Sequence, residues 1–316
     1  MEKRQVGASD LEVYPVMLGG NVFGWTIDEA RSFEILDGFV AAGFNFIDTA
    51  DVYSRWAPGN SGGESETVIG NWLHKRKNRH DVVIATKVGF DMGDGKKGLR
   101  KAYILKAADA SLKRLRTDYI DLYQTHCDDE SVPVGETLEA YDQLVKEGKV
   151  RWIGASNLSP ERLKESLATS ATNGFPSYQS LQPHYNLYDR QDYESQFETL
   201  AMGHGLGVVP YFSLAAGFLT GKYRSEADFG QSVRGANMGK FLNERGFRIL
   251  AALDKVAAEL NTTPAALALA WLIHRPSVTA PIVSATSPEQ LQSLIAAPQL
   301  EVTAGHIAEL TSASAW

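Results

Sequence analysis

The stretch Val82 to Gly89, VVIATKVG, is apolar on consecutive residues and then ends in a lysine and a glycine. A strand wet on one face alternates apolar and polar residues, whereas a parallel strand covered on both faces reads as an unbroken apolar run. The same kind of run recurs along the chain at Val13 to Asn21, Phe44 to Ala50, Tyr119 to His126, Val150 to Ser156, Tyr178 to Gln182, Gly207 to Leu214 and Ala280 to Ala285. Each run is followed by a segment with helical spacing. In VGETLEAYDQLVKEGKV, for example, Val134, Leu138, Tyr141, Leu144 and Val145 fall three and four apart, and Gly148 follows where a helix end needs positive φ. Ser159–Pro160, Thr263–Pro264 and Ser287–Pro288 each pair an N-cap with a proline at the first helical position. Eight strand–helix pairs without a linker predict an α/β fold, a closed (β/α)8 barrel spanning residues 1–316 as one domain. Two additions stand outside the repeat. VGASDLEV, before Tyr14, reads as a hairpin across the barrel floor, and Gly217 to Leu260 is a long insertion after the seventh strand, helical from about Phe247.

Composition narrows the function. The chain has 316 residues, 44% hydrophobic and 22% charged, which suits a folded domain with a large core. Its formal net charge of −7, with no long basic stripe, argues against nucleic-acid binding. The start, MEKRQVGASD, lacks the apolar core of a secretory signal, and no apolar run is long enough for a membrane span; the expected location is the cytoplasm, away from membranes. One cysteine, Cys127, and histidines without ligand spacing leave no metal site to predict. A small-molecule partner is expected, and the oligomeric state is left open.

In a (β/α)8 barrel the chemistry lies at the C-terminal ends of the strands. Strand two runs into Asp48 and Tyr53, strand three ends in Lys87, and strand four ends in His126. Taken singly, Asp48 could cap a loop, Tyr53 could pack, Lys87 could serve a salt bridge, and His126 could be a satisfied core histidine. Together they are more informative. A lysine closing an apolar strand needs a carboxylate beside it, and Asp48 on the neighbouring strand supplies one.

The segments FIDTADVY, ATK and DLYQTH, with GKVRWIGASNLS, LQPHYNLYDR, VVPYFSLAAGFLTGKY and PIVSATSPEQL further on, resemble the aldo-keto reductase superfamily over almost the whole chain. The motif style is that of the bacterial members related to potassium-channel β subunits. The resemblance implies reversible hydride transfer between a nicotinamide cofactor and an aldehyde or ketone. It implies Tyr53 as the proton donor, Lys87 as the ammonium that eases ionisation of the phenol, Asp48 as the holder of Lys87, and His126 as the group that orients the substrate oxygen. By the same resemblance Ser156, Asn157 and Gln182 take the nicotinamide carboxamide and Tyr211 stacks beneath the ring. Ser213, Leu214 and Gly217, with Lys222 nearby, receive the pyrophosphate. Ser284, Thr286 and Gln290, aided by Arg234 from the insertion, take the adenosine phosphate. NADP(H) is implied ahead of NAD(H), although the stretch after strand eight lacks the family's usual basic residues and has Leu294 where an asparagine is usual.

For the substrate the expected walls are Trp25, Trp56, Phe90, Cys127 and Asp128, a set suited to a hydrophobic or cyclic carbonyl compound. Rival motifs fail on inspection. GHGLGV, from Gly203, precedes a strand and lacks the last glycine of a dinucleotide fingerprint, and GDGKKG, from Gly93, lacks the hydroxyl residue of a phosphate-binding loop. The basic run HKRKNRH, from His74, is expected on the solvated bottom surface. The alternative to an enzyme is a nucleotide-binding redox sensor or regulatory subunit with little turnover.

Overall fold

The computed structural model describes residues 2–316. A two-stranded antiparallel hairpin, β1 (Arg4–Gln5) and β2 (Glu12–Val13), precedes eight parallel strands. These are β3 (Met17–Gly19), β4 (Phe46–Asp48), β5 (Val83–Val88), β6 (Ile120–Thr125), β7 (Val150–Ser156), β8 (Tyr178–Gln182), β9 (Gly207–Val208) and β10 (Ile282–Val283). Each pairs with the next, and β10 returns to β3. At the remaining seam, between β9 and β10, backbone bonds from Thr279 to Val208 (2.8 Å) and from Ile282 to Pro210 (2.9 Å) close the ring. The helices are α1 (Glu29–Ala41), α2 (Glu64–Arg76), α3 (Lys101–Leu115), α4 (Val134–Lys146), α5 (Pro160–Asn173), α6 (Glu198–Gly203), α7 (Glu244–Glu259), α8 (Pro264–Ile273), α9 (Pro288–Ile295) and α10 (Ala304–Ala313). Helices packed outside a closed parallel sheet make this a (β/α)8 barrel.

All eight barrel strands lie inside the runs read from the sequence, but several are shorter. Pro15, Pro210 and Pro281 account for most of the difference, since a proline donates no ladder hydrogen bond and leaves regular pairing on one side of it, after Pro15 and Pro281 and before Pro210. The three expected N-caps form: the side chains of Ser159, Thr263 and Ser287 accept from the backbone of Arg162, Ala266 and Gln290. Gly148 has φ of 72° just past α4. Of the basic run, His74 to Lys77 is exposed, but Arg79 is structural, bonding Asp121 at 2.7 Å and lying over the Tyr119 ring.

The expected hairpin forms and seals one end of the barrel. Val6, Leu11 and Val13 are buried in one apolar cluster with Met17, Phe46, Val83, Leu122, Val209 and Ile282 from the strands. Its turn presses on β8 so closely that a Cβ at Gly7, where φ is 61°, would meet the Gln179 carbonyl oxygen at 2.2 Å, so only glycine fits. The insertion is a chain of 3-10 turns, Ala215–Thr220, Glu226–Gln231 and Gly235–Phe241, leading into α7, three residues earlier than expected. Among the described residues no single helix is long and apolar enough to cross a membrane.

Candidate active site

Parallel register decides which side chains meet at the strand ends. Asp48 is opposite Gly19 and Ala85, Lys87 is opposite Gln124, and Ser156 is opposite Gln182. The last residue of β4 and the penultimate residue of β5 thus rise beside each other, and Lys87 Nζ donates to Asp48 Oδ2 at 2.7 Å. The lysine also donates to the Thr49 carbonyl and to Tyr53 Oη, each at 2.8 Å. Three acceptors for three N–H groups is the coordination of an ammonium. Both partners are buried, Lys87 fully and Asp48 to within 1%.

Tyr53 Oη, which accepts from Lys87, donates to Asp48 Oδ2 at 3.0 Å. The phenol therefore stands between a cation and an anion at similar range. Burial, reinforced by Asp48, pushes its pKa well above the ordinary tyrosine value, while burial pulls Lys87 down against the opposing pull of Asp48. The phenol is held as an acid that keeps its proton, because burial, with Asp48, outweighs the pull of Lys87. His126 packs edge-on against Phe90, with ring centroids 4.4 Å apart, and against Tyr53 at 5.9 Å. Burial, with Lys87, holds its pKa well below the usual histidine range, so the imidazole is neutral, and its buried Nδ1 has no hydrogen-bond partner among the described residues.

The residues expected to hold a nicotinamide ring form one network. Tyr211 donates to Asn157 Oδ1 at 3.0 Å, and Asn157 Nδ2 donates to the His126 carbonyl at 2.8 Å and to Ser156 Oγ at 3.1 Å. Gln182 Nε2 donates to Asp48 Oδ1 at 3.1 Å, so a residue expected only at the cofactor also steadies the carboxylate. One face of Tyr211 is stacked on His184, with centroids 5.3 Å apart and planes 13° from parallel.

Past β9 the chain turns left-handed: Phe212, Ala215, Ala216 and Gly217 all have positive φ, and Gly217, at 104°, holds a conformation that suits glycine. The backbone N–H groups of Ser213 and Leu214 make no hydrogen bond among the described residues. Lys222 Nζ comes within 3.9 Å of where a Cβ at Gly217 would stand, and no carboxylate of a described residue pairs with it. Free N–H groups in a left-handed turn beside an unpaired cation make a fitting receptor for a pyrophosphate.

The adenosine end is built differently. Thr286 donates from both its backbone N–H and its hydroxyl to Gln290 Oε1, each at 3.0 Å, and Ser284 donates to Asn21 Oδ1 at 2.6 Å. Leu294 is buried in the core and offers nothing to a ligand. Arg234, partly buried and without a carboxylate partner among the described residues, lies over the Trp25 ring at 5.7 Å.

The expected substrate walls separate into two groups. Trp25 and Trp56 meet edge to face at 5.4 Å, Trp56 meets Tyr53 at 6.0 Å, and Phe90 abuts His126, so these three aromatics surround the phenol and imidazole. Cys127 is half-buried, and burial raises its pKa to about 11, far from a reactive thiolate. Asp128 is occupied in its own loop, accepting from Arg162 at 3.0 Å and from the Asp129 backbone at 2.8 Å. The sequence reading missed the Thr49 carbonyl, the His184 stack and the buried charges Asp51, Glu66 and Arg114; only Asp51, inside the DTADVY segment, carried any signal.

At the mouth of the (β/α)8 barrel a buried lysine and aspartate and a partly buried tyrosine are joined in mutual hydrogen bonds beside a neutral histidine. The family model described as "Aldo/keto reductase family" matches residues 15–315, and the chain belongs to that family. It is 34% identical over 301 residues to an uncharacterized oxidoreductase of Bacillus subtilis, YqkF, covering 94% of this chain and 91% of that one. It is 32% identical to a probable voltage-gated potassium channel subunit beta of Arabidopsis thaliana, covering 92% and 89%. Norsolorinic acid reductase of Aspergillus flavus is 30% identical, covering 97% and 79%.

Proposed function

We propose that this protein is an NADP(H)-dependent carbonyl reductase, working reversibly on an aldehyde or ketone whose body is apolar or aromatic. The observation that carries the reading is the Tyr53 hydroxyl held 2.8 Å from Lys87 Nζ and 3.0 Å from Asp48 Oδ2, with neutral His126 beside it. When bound, the nicotinamide nucleotide supplies the hydride. Every other requirement falls on the chain. Tyr53, kept protonated, releases its proton to the carbonyl oxygen as charge develops there, and Lys87 stabilises the phenolate left behind. Asp48 holds Lys87 charged and oriented, with Gln182 bracing the carboxylate. His126, neutral because it is buried next to Lys87, donates a hydrogen bond to the substrate oxygen and sets its angle. Trp25, Trp56 and Phe90 wall the substrate and exclude water.

The nucleotide is placed by Ser156, Asn157, Gln182 and Tyr211 at the nicotinamide, by the left-handed turn at Ser213 to Gly217 with Lys222 at the pyrophosphate, and by Ser284, Thr286, Gln290 and Arg234 at the adenosine end. Arg234 carries the NADP(H) preference in this reading, as a partly buried cation of the insertion without a carboxylate partner among the described residues. The proposed setting is cytoplasmic, as a single barrel domain with a small-molecule partner. A relative's name refers to a channel subunit, but the complete tetrad supports turnover over a purely regulatory role. The reading is tested by adding NADPH and watching intrinsic fluorescence, then adding 4-nitrobenzaldehyde or 9,10-phenanthrenequinone and following absorbance at 340 nm. Quenching followed by loss of absorbance is the expected result; quenching with no turnover on any carbonyl probe contradicts it.

A further inference from the structure

A second buried charged cluster adjoins the tetrad. Asp51 is 2% exposed, and its backbone N–H donates to the Lys87 carbonyl at 3.2 Å. Both of its carboxyl oxygens are fully buried and have no hydrogen-bond partner among the described residues. Nearby, Glu66 of α2, also fully buried, accepts from Thr86 Oγ1 at 2.5 Å and from Arg114 Nε of α3 at 2.6 Å. The titratable groups facing Asp51 are Glu66 from α2, Arg114 and Tyr103 from α3, Lys87 from β5, Tyr123 from β6, Tyr141 from α4, and Cys127 in the loop after β6. The Tyr123 hydroxyl is likewise buried without a partner.

Counting charges shows why Asp51 is unusual. Lys87 is matched by Asp48 and Arg114 by Glu66, each pair in direct contact. Asp51 is the carboxyl left over. An anion there would have no counterion in contact and at most the adjacent Val52 N–H for a donor, and with burial and Glu66 outweighing the more distant pull of Arg114 and Lys87 a neutral acid is the cheaper occupant of such a place. Burial and Glu66 accordingly push its pKa up to about 8.

We propose that Asp51 is a positioning residue acting through Lys87: as a neutral acid it leaves the ammonium shared between Asp48 and Tyr53, and as an anion it draws the ammonium off the phenol and weakens Tyr53 as a proton donor. The effect on turnover rests on the reading of Tyr53 given above. Two consequences differ in kind. Between pH 6.5 and 9 the wild-type kcat for carbonyl reduction falls by roughly tenfold, the size of a one-unit change in proton-transfer driving force, while KM for the nucleotide holds. Asp51→Asn, which copies the neutral acid, lacks this fall, read as the kcat ratio between the two pH values within each protein. The second consequence is independent of turnover. A carboxyl whose folded pKa of about 8 exceeds its ordinary 3.8 makes the native state bind the extra proton between those values. Its stabilising contribution is full below the lower value, lost as pH rises through that window, and flat above it. Asp51→Asn removes this part of the decline in Tm.

The test compares wild type with Asp51→Asn. Infrared spectra at pH 7 should show the C=O stretch of a buried carboxylic acid that the variant lacks, and the Lys87 Nζ resonance in 15N NMR should move through a transition near pH 8 in wild type only. Wild-type spectra alone decide the matter if the variant does not fold. Absence of the acid band, with Tm–pH curves that run parallel, overturns the protonation of Asp51. A band with an unmoved Lys87 resonance overturns the coupling. If no carbonyl probe turns over, the band and the resonance still decide Asp51, and that failure belongs to the reading of Tyr53 instead.

Discussion

Two corners of the same barrel mouth are built on different terms. At the ends of β4 and β5, Asp48, Lys87 and Tyr53 satisfy one another at 2.7 to 3.0 Å, with Lys87 wholly buried. Past β10, Ser284, Thr286 and Gln290 are tied mainly to Asn21 and to each other, and Arg234, a cation without a carboxylate partner among the described residues, comes from the long insertion and rests on Trp25. The first corner has no slack: each group is hydrogen-bonded to the other two, and deleting one strands the others. The second is assembled from partly exposed neutral groups, where each member contributes independently and modestly. On the proposed reading the first corner holds the chemistry and the second the nucleotide preference.

The largest break in this comparison is expected from Lys87→Met. It leaves Asp48 buried without its cation and the phenolate without a stabilising ammonium, so carbonyl reduction should fall by at least about a hundredfold, the scale of general acid catalysis. Steady-state kinetics checks this, and full activity in a folded variant would undo the proton-transfer account. Arg234→Ala should be smaller and selective. NADPH binding should weaken by about 1.5 to 3 kcal/mol, the range for hydrogen bonds to charged groups, with NADH binding little changed. Fluorescence titration of both nucleotides reads it: equal losses would move Arg234 to the shared pyrophosphate, and a wild-type preference for NADH would remove the NADP(H) assignment. Smallest is Gln290→Ala, expected to cost about 0.5 to 1.5 kcal/mol in NADPH affinity, as for one neutral hydrogen bond. A loss as large as that of Arg234→Ala in the same titration would show the adenosine end to be as tightly coupled as the catalytic corner.

A further contrast concerns direction. Tyr53 is pushed above the ordinary tyrosine range by burial and Asp48, so as an acid it is ready at neutral pH, whereas as a base for alcohol oxidation it must first lose its proton. Alcohol oxidation should therefore accelerate with rising pH beyond neutrality, while reduction should not. Initial rates in both directions across a pH series check the sign.

The catalytic corner was legible in the sequence because its signal is local: VVIATKV is an apolar run that ends in a charge, and FNFID is another. Strand boundaries near Pro15, Pro210 and Pro281 were harder, since the apolar run extends across each proline while regular pairing lies on one side of it. The Lys87 bond to the Thr49 carbonyl is a backbone contact that no residue type announces. Glu66 looks like an ordinary helix residue in GGESETVIG, and only the packing of α2 beside α3 reveals that it is buried against Arg114. Arg234 was read for its charge, but its seat on Trp25 depends on how the insertion folds over the first strand's loop.

The central claim is that Tyr53 gives its proton to the substrate oxygen and takes no part in holding the nucleotide. Tyr53→Phe tests it most directly, because it removes one hydroxyl and preserves the ring that packs against Trp56 and His126. Measured together, kcat for a carbonyl probe should fall by at least roughly a hundredfold while the Kd for NADPH stays within about twofold of wild type. Wild-type turnover in Tyr53→Phe, or a loss of NADPH affinity large enough to account for the loss of rate, would contradict the account.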